Sequence, residues 1–293
     1  MIFCCYDGGT LGVVADGRVT AVPDSVVPAT TAPQDRVELL IETYADKRAE
    51  LAALAADATL AHPPLAAVSL EAPVPSPKQL LCAVKNYADD RQGVAADFFL
   101  KSPLSVVPTG STVTLPPVEA RVFHHEPELA VVIGRAGRDI AAADAMDHVF
   151  GYTGFLDLSA RDVGTTYYFK KSPAGFGPMG PVLVTADEIP DPHDLTVELS
   201  VNGEVRQRYS TARMANRIDR LIEVASSVAG VVPGDVIATG TYHVGMGPVQ
   251  DGDHVVMTVE GIGELAVDVA DPLHRAWDGA GKRLPAEPAG HRA

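Results

Sequence analysis

Two glutamates one residue apart, Glu126 and Glu128, stand at the head of the apolar run Leu129-Ala130-Val131-Val132-Ile133. The run predicts a β-strand, and side chains at i and i+2 of a strand share a face. The two carboxylates would then sit side by side, with Cα atoms roughly 6–7 Å apart. Like charges that close repel, and one is neutralised unless a cation lies between them. Hard oxygen ligands of this kind suit Mg²⁺, Mn²⁺ or Ca²⁺. The spacing by itself also fits two glutamates at a solvated strand end, which is the commoner arrangement. A third carboxylate, Asp157, ends the apolar run at residues 151–156 and precedes a turn; alone it reads equally as a helix N-cap. Pro127 cannot donate a ladder hydrogen bond, so the strand is expected at a sheet edge or bulged there. His125 adjoins Glu126 and is expected on the opposite face, in a structural position.

The surrounding chain must supply the elements that hold these groups. Short apolar runs at residues 11–14 and 18–22 flank Ala15-Asp16-Gly17, and Asp-Gly is a strong hairpin signal. Residues 22–33 are rich in Pro, Ala and Thr and read as a connection. Val37, Leu40, Ile41 and Tyr44, continued by Leu51 and Leu54, follow the helical spacing; this predicts a helix over residues 36–56 with Asp35 as its N-cap. The proline-dense stretch Glu71-Ala72-Pro73-Val74-Pro75-Ser76-Pro77 resists both helix and central strand. It divides the chain into a small N-terminal domain (1–75), a larger domain (76–275) and a Gly/Pro/Ala-rich tail (276–293).

The larger domain reads as strand-rich, with β candidates at residues 81–84, 113–115, 129–133, 182–185, 195–201, 236–239 and 255–259. Asn202-Gly203 makes a hairpin turn between residues 195–201 and 204–208. Near the end, Ile218, Leu221, Ile222, Ala225 and Val228 share one helical face, and Pro233-Gly234-Asp235 closes that helix.

Composition narrows the partners. The chain has 293 residues, 38 acidic against 23 basic, for a formal charge of -15. Such a chain repels nucleic acid and anionic membrane at long range. An anionic substrate then needs local compensation by a cation or by placed Lys and Arg. The three cysteines, Cys4, Cys5 and Cys82, form no disulfide framework and read as reduced thiols. The first seven residues lack the basic flank and apolar core of a signal peptide, and no apolar run approaches a membrane span. The expectation is a cytoplasmic protein.

Several segments, in order, carry a resemblance. They are Cys82-Ala83-Val84-Lys85-Asn86-Tyr87, Phe99-Leu100-Lys101-Ser102-Pro103, the run from His125 through Gly134, Asp157-Leu158-Ser159-Ala160-Arg161-Asp162, Lys171-Ser172, Gly177-Pro178-Met179-Gly180-Pro181, Val201-Asn202-Gly203-Glu204 and the run from Pro233 through Thr241. Together they resemble the fumarylacetoacetate hydrolase family over residues 81–269, while the first 75 residues match only loosely. The resemblance implies an α+β, β-rich fold: a mixed β-roll with a small N-terminal α/β domain, usually a homodimer. It also implies Mg²⁺, Mn²⁺ or Ca²⁺ and a small anionic 2-oxo or 2,4-dioxo acid as substrate.

Residue by residue, the family's metal carboxylates fall on Glu126, Glu128 and Asp157. Its lysine near the reacting carbonyl falls on Lys171, which would stabilise oxyanion charge. Lys101 matches a second lysine near the substrate. Gly240 and Thr241, after Thr239, are expected either to take a substrate carboxylate through the Thr241 hydroxyl and backbone N–H or to be plain turn residues. Tyr87 is expected either against substrate or in the core. Arg161 is expected as a partner of Asp162 or of the metal carboxylates, or else in contact with substrate.

The sequence also departs from the family. Its hydrolases carry Asn-Tyr-x-x-His on a mobile lid, with a Glu three residues on, a pair that activates the attacking water. Here those positions hold Asp90 and Gly93. Asp90 is the candidate replacement, although an exposed aspartate is a weaker base than histidine. Gly164 stands where many relatives have Gln, and Tyr242-His243 where Pro and a small or basic residue commonly follow Gly-Thr. The expected function is divalent-metal-dependent hydrolysis of a C–C bond in a 2,4-dioxo acid of acylpyruvate type. The alternative is isomerisation, tautomerisation or decarboxylation of a 2-oxo acid, which needs no activated water. A non-catalytic binding relative is the third reading.

Overall fold

The computed structural model describes residues 1–87 and 94–277. Its main sheet has eleven strands, mostly antiparallel. The central path runs Arg18–Ala21, Thr10–Ala15, Ile2–Tyr6, Gly177–Thr185, Val149–Leu156, Pro127–Ile133, Val236–Ala238, Leu80–Ala83 and Phe98–Leu100. A second sheet of five strands runs Glu204–Ser210, Thr196–Val201, His254–Val259, Gly263–Ala270 and Thr112–Thr114. The small pair Val122–His124 and Ser159–Arg161 stands beside them.

Two apolar layers explain why these strands form. Along Pro127–Ile133, Leu129, Val131 and Ile133 enter one core, while Ala130 and Val132 enter the other. This is the two-residue alternation of a strand buried on both faces. The first core contains Val197, Leu199, Val255 and Met257 of the second sheet and Ile218, Leu221 and Ile222 of the Ile218–Val228 helix. The second contains Val37, Leu40, Ile41 and Leu51 of the Pro33–Ala56 helix. The N-terminal strand Ile2–Tyr6 pairs with Gly177–Thr185, so residues on both sides of the division at residue 75 share one sheet.

Both hairpin turns form as their sequences direct: Asp16 and Gly17 take φ 49° and 70°, and Asn202 and Gly203 take 52° and 80°. Three local expectations need correction. The long helix starts at Pro33 with Ala32 at the N-cap, and Asp35 lies inside its first turn. Proline is pre-shaped for the first helical position, and an acidic group there complements the helix dipole. Val228, placed on the buried face by spacing, is 74% exposed, because the helix ends there and the chain turns away. Pro127 is on no edge strand: Pro127–Ile133 has a neighbour on each side. Val236–Ala238 reaches only Ala130 to Val132, so Pro127 lies beyond it and its missing N–H breaks no bond on that side. Among the described residues, no helix is long and apolar enough to cross a membrane.

Candidate metal centre

The antiparallel register between Pro127–Ile133 and Val149–Leu156 builds the site. Pro127 pairs with Leu156 and Glu128 with Phe155, so the next residues out, Glu126 and Asp157, meet across the strands. The Asp157 amide donates to the Glu126 carbonyl at 2.9 Å. Glu126, Glu128 and Asp157 are all buried, and each offers an oxygen within 4.8 Å of the others.

Cations hold two of the three carboxylates. The Lys171 ammonium, at the end of the short Tyr167–Lys171 helix, donates to Glu126 Oε2 at 2.8 Å and also to Asp157 Oδ2. Lys101 Nζ donates to Asp157 Oδ1 at 2.6 Å. Arg161 pairs with Glu126 Oε1, and its Nε donates to His124 Nδ1 at 3.1 Å. The Ser159 hydroxyl adds a bond to Glu126 Oε1 at 2.8 Å. Burial opposes ionisation of Glu126, but Lys171 and Arg161 outweigh it and hold the carboxyl down at about 2. Lys171 is likewise opposed by burial yet raised by Asp157 and Glu126.

Glu128 differs. Its Oε2 accepts from the Gly240 amide at 2.8 Å. Among the described residues no Lys or Arg pairs with it. Burial, then the charges of Asp157 and Glu126, pushes its carboxyl well above the ordinary value. The donor set therefore fits a hard divalent cation: three converging oxygens, one of them a buried carboxylate short of positive charge.

The three carboxylates open onto a cavity of about 120 Å³, also lined by Lys85, Phe99, Arg161, Tyr167, Lys171, Thr241 and His243. Phe99 and Tyr167 stack at 4.7 Å and 10° on one flank, and the Lys171 ammonium lies 5.3 Å from the Phe99 centroid. Gly240 takes φ 89°, where a Cβ would stand 3.2 Å from that of Asn86, so glycine is what lets the Thr239–Thr241 backbone bend under Glu128. A larger groove of about 480 Å³, lined by Leu81, Phe98, Leu100, Val224 and Val228, has Asp97 as its one titratable lining residue and lies apart from the carboxylates.

Most sequence-derived candidates converge here, with two exceptions. Tyr87 is 3% exposed and packs edge-on against Tyr209 at 5.0 Å, away from the cavity lining. Lys101 is 1% exposed and is absent from the cavity wall, because its ammonium is spent on Asp157 Oδ1 and the Leu158 carbonyl. Arg161 pairs with Glu126, while Asp162 pairs with Arg121. His125 turns to the second sheet, where its Nδ1 meets Gln207 Oε1 at 2.7 Å. Asp90 lies outside the described residues.

The site also recruits residues that sequence reasoning did not place. Gln207 Nε2 donates to Tyr242 O at 2.6 Å and Thr241 Oγ1 at 3.2 Å, which ties down the cavity loop. Its only sequence signal was a neutral polar residue within a hairpin strand. His243, noted in sequence only as a departure from the family, lines the cavity.

Residues 78–270 match the family model described as fumarylacetoacetate (FAA) hydrolase C-terminal. The chain belongs to the fumarylacetoacetate hydrolase family. It is similar to a maleylpyruvate hydrolase of Aquipseudomonas alcaligenes, 34% identical over 92% of this chain and 99% of that one. An oxaloacetate tautomerase of Bacillus subtilis is 41% identical over 69% of this chain and 73% of its own length. A crystal structure of maleylpyruvate hydrolase from Sphingobium sp. SYK-6, in complex with manganese(II) and pyruvate, superposes with a TM-score of 0.83 at 38% identity, covering 92% and 99%. The β-rich fold expected from the resemblance is the fold observed, and the chain is an enzyme of this family.

Proposed function

We propose that this enzyme is a divalent-metal-dependent hydrolase that cleaves a C–C bond in a small 2,4-dioxo acid of acylpyruvate type. The observation that carries the reading is the buried Glu126–Glu128–Asp157 cluster opening onto a cavity beside Lys171. The maleylpyruvate hydrolases that match along nearly the whole chain support the same choice. Glu126, Glu128 and Asp157 would hold Mg²⁺, Mn²⁺ or Ca²⁺, which supplies Lewis-acid polarisation of the 2-oxo group.

The protein's own residues do the rest. Lys101 and Arg161 fix Asp157 and Glu126, so that both carboxylates stay aimed at one point. Lys171 places a positive charge on the cavity wall where the enolate oxygen of the leaving pyruvate develops. The Thr241 hydroxyl and amide, held in place by the Gly240 amide's bond to Glu128, receive the substrate carboxylate. The Phe99–Tyr167 pair flanks the acyl tail. Water supplies hydroxyl to C4 and a proton to C3, and the C3–C4 bond breaks to give pyruvate and a carboxylic acid. The protein acts in the cytoplasm, with the N-terminal 75 residues built into the main sheet and two copies as the working assembly.

A second reading is tautomerisation, isomerisation or decarboxylation of a 2-oxo acid. It is favoured by Asp90 and Gly93 standing where the resemblance places a His–Glu water-activating pair. Incubating the Mn²⁺-loaded enzyme separately with an acylpyruvate and with oxaloacetate decides. Pyruvate plus a second carboxylic acid supports hydrolysis. Carbon dioxide or a faster enol–keto relaxation, with the acylpyruvate intact, overturns it.

A further inference from the structure

We propose that His243 is the general base of this hydrolase, taking a proton from the water that attacks the 4-oxo carbon. The inference rests on the hydrolytic reading above. Among the described residues lining the cavity, His243 is the one imidazole. The other polar groups there are committed elsewhere. Glu126 receives Lys171, Arg161 and Ser159, and Asp157 receives Lys101 and Lys171. Glu128 receives Gly240 and completes the candidate ligand set. Lys85, Arg161 and Lys171 act as donors, and the Thr241 and Tyr167 hydroxyls are weaker bases than an imidazole.

His243 is also held in place on both sides. The Gly240 amide is anchored on Glu128, and the Tyr242 carbonyl accepts from Gln207 at 2.6 Å. The Arg213 guanidinium covers the Tyr242 ring at 4.9 Å, and the Met246 amide donates to the His243 carbonyl at 3.2 Å. The side chain itself is exposed at the mouth, where solvent water enters. Partial covering by protein, with Arg161, Lys171 and Lys85 nearby, outweighs Glu126 and lowers the imidazole below its usual value, so it is the unprotonated form that faces the water.

The step balances as follows. The imidazole nitrogen takes a proton from water as the water oxygen bonds to C4. The C3–C4 electron pair becomes the π-bond of the pyruvate enolate. The imidazolium then returns its proton to C3, so histidine is regenerated and one water is consumed.

The test compares wild type, His243→Gln and Asp90→Asn, all Mn²⁺-loaded, for acylpyruvate hydrolysis against pH. Calorimetric titrations with Mn²⁺ and with oxalate accompany each. The expected result for His243→Gln is a fall in kcat of about 10²–10⁴-fold and loss of the acidic limb of the pH–rate profile. Its Mn²⁺ and oxalate affinities should stay within about twofold of wild type. The proposal is overturned if His243→Gln retains hydrolysis within about tenfold. It is also overturned if metal affinity falls in parallel, or if Asp90→Asn alone reproduces the loss. A wild-type enzyme that binds Mn²⁺ and oxalate but hydrolyses no acylpyruvate overturns the hydrolase reading, and this inference with it.

Discussion

The Gly240 amide donates to Glu128 Oε2 at 2.8 Å, which joins the cavity loop directly to the carboxylate that has no ion-pair partner among the described residues. Glu128→Gln preserves the shape of this contact and replaces a buried acid, raised well above its ordinary value, with a permanently neutral amide. The metal-free variant should unfold at the same temperature as wild type or higher. Partners outside a metal's own ligands are worth roughly 10–100-fold in affinity, so loss of a ligand should weaken Mn²⁺ more than about a hundredfold by calorimetry. Unchanged Mn²⁺ affinity would remove Glu128 from the ligand set.

Metal affinity should rise with pH. Burial, with Asp157 and Glu126, raises the Glu128 carboxyl well above its ordinary value, so the metal-free protein keeps a proton there that the unfolded chain has released. Between those two values the stability of the metal-free protein falls as pH rises. Metal must displace the proton, so apparent Mn²⁺ affinity should climb by up to about tenfold per pH unit while Glu128 stays protonated, with proton release visible in paired buffers. Glu126 has the opposite sign: its carboxyl sits at about 2, and its contribution is present at neutral pH and lost only as pH falls through that value. An Mn²⁺ affinity that stays flat as pH rises above the ordinary carboxylate range would contradict the Glu128 assignment.

Among the described residues, Lys171 is the only cation that touches both Glu126 and Asp157. Lys171→Met takes one cation from each of two buried carboxylates, leaving Arg161 on Glu126 and Lys101 on Asp157, and the metal-free protein should lose up to about 3–5 kcal/mol by denaturant unfolding. Saturating Mn²⁺ should recover part of that stability, because it neutralises the same oxygens. Turnover should not recover and should stay about 10²–10³-fold below wild type. Recovery of turnover along with stability would show that Lys171 acts on the carboxylates alone.

The Phe99–Tyr167 stack predicts a preference in the acyl tail. Aromatic contacts of this kind are worth about 0.5–1.5 kcal/mol. Tyr167→Ala should therefore raise KM for an acylpyruvate with a planar unsaturated tail by up to about tenfold, while oxalate affinity, which has no tail to lose, stays put. Equal effects on both ligands would place Tyr167 in the scaffold.

The carboxylate pair was legible because Glu126 and Glu128 need only strand alternation to share a face, and alternation is local. Asp157 was not legible from spacing. Its approach depends on an antiparallel register that sets it opposite Glu126 across two strands. Resemblance supplied it, together with Lys171. The same limit hid the fate of Lys101 and Tyr87, whose types suit a cavity but whose side chains are spent on Asp157 and packed against Tyr209. Gln207 was invisible because its partners, His125, Thr241 and Tyr242, come from distant segments that meet only when the two sheets stack. Helix ends followed local chemistry, but Pro33 outranked Asp35, a competition that spacing does not resolve.

Residues 125 to 128 send alternate side chains in opposite directions, His125 to Gln207 and the glutamates to the cavity. Evolution can therefore retune this stretch one substitution at a time, but a single inserted or deleted codon would exchange chemistry for lining and lining for chemistry. Lineages of this enzyme should diversify in the letters of the segment while its length stays frozen.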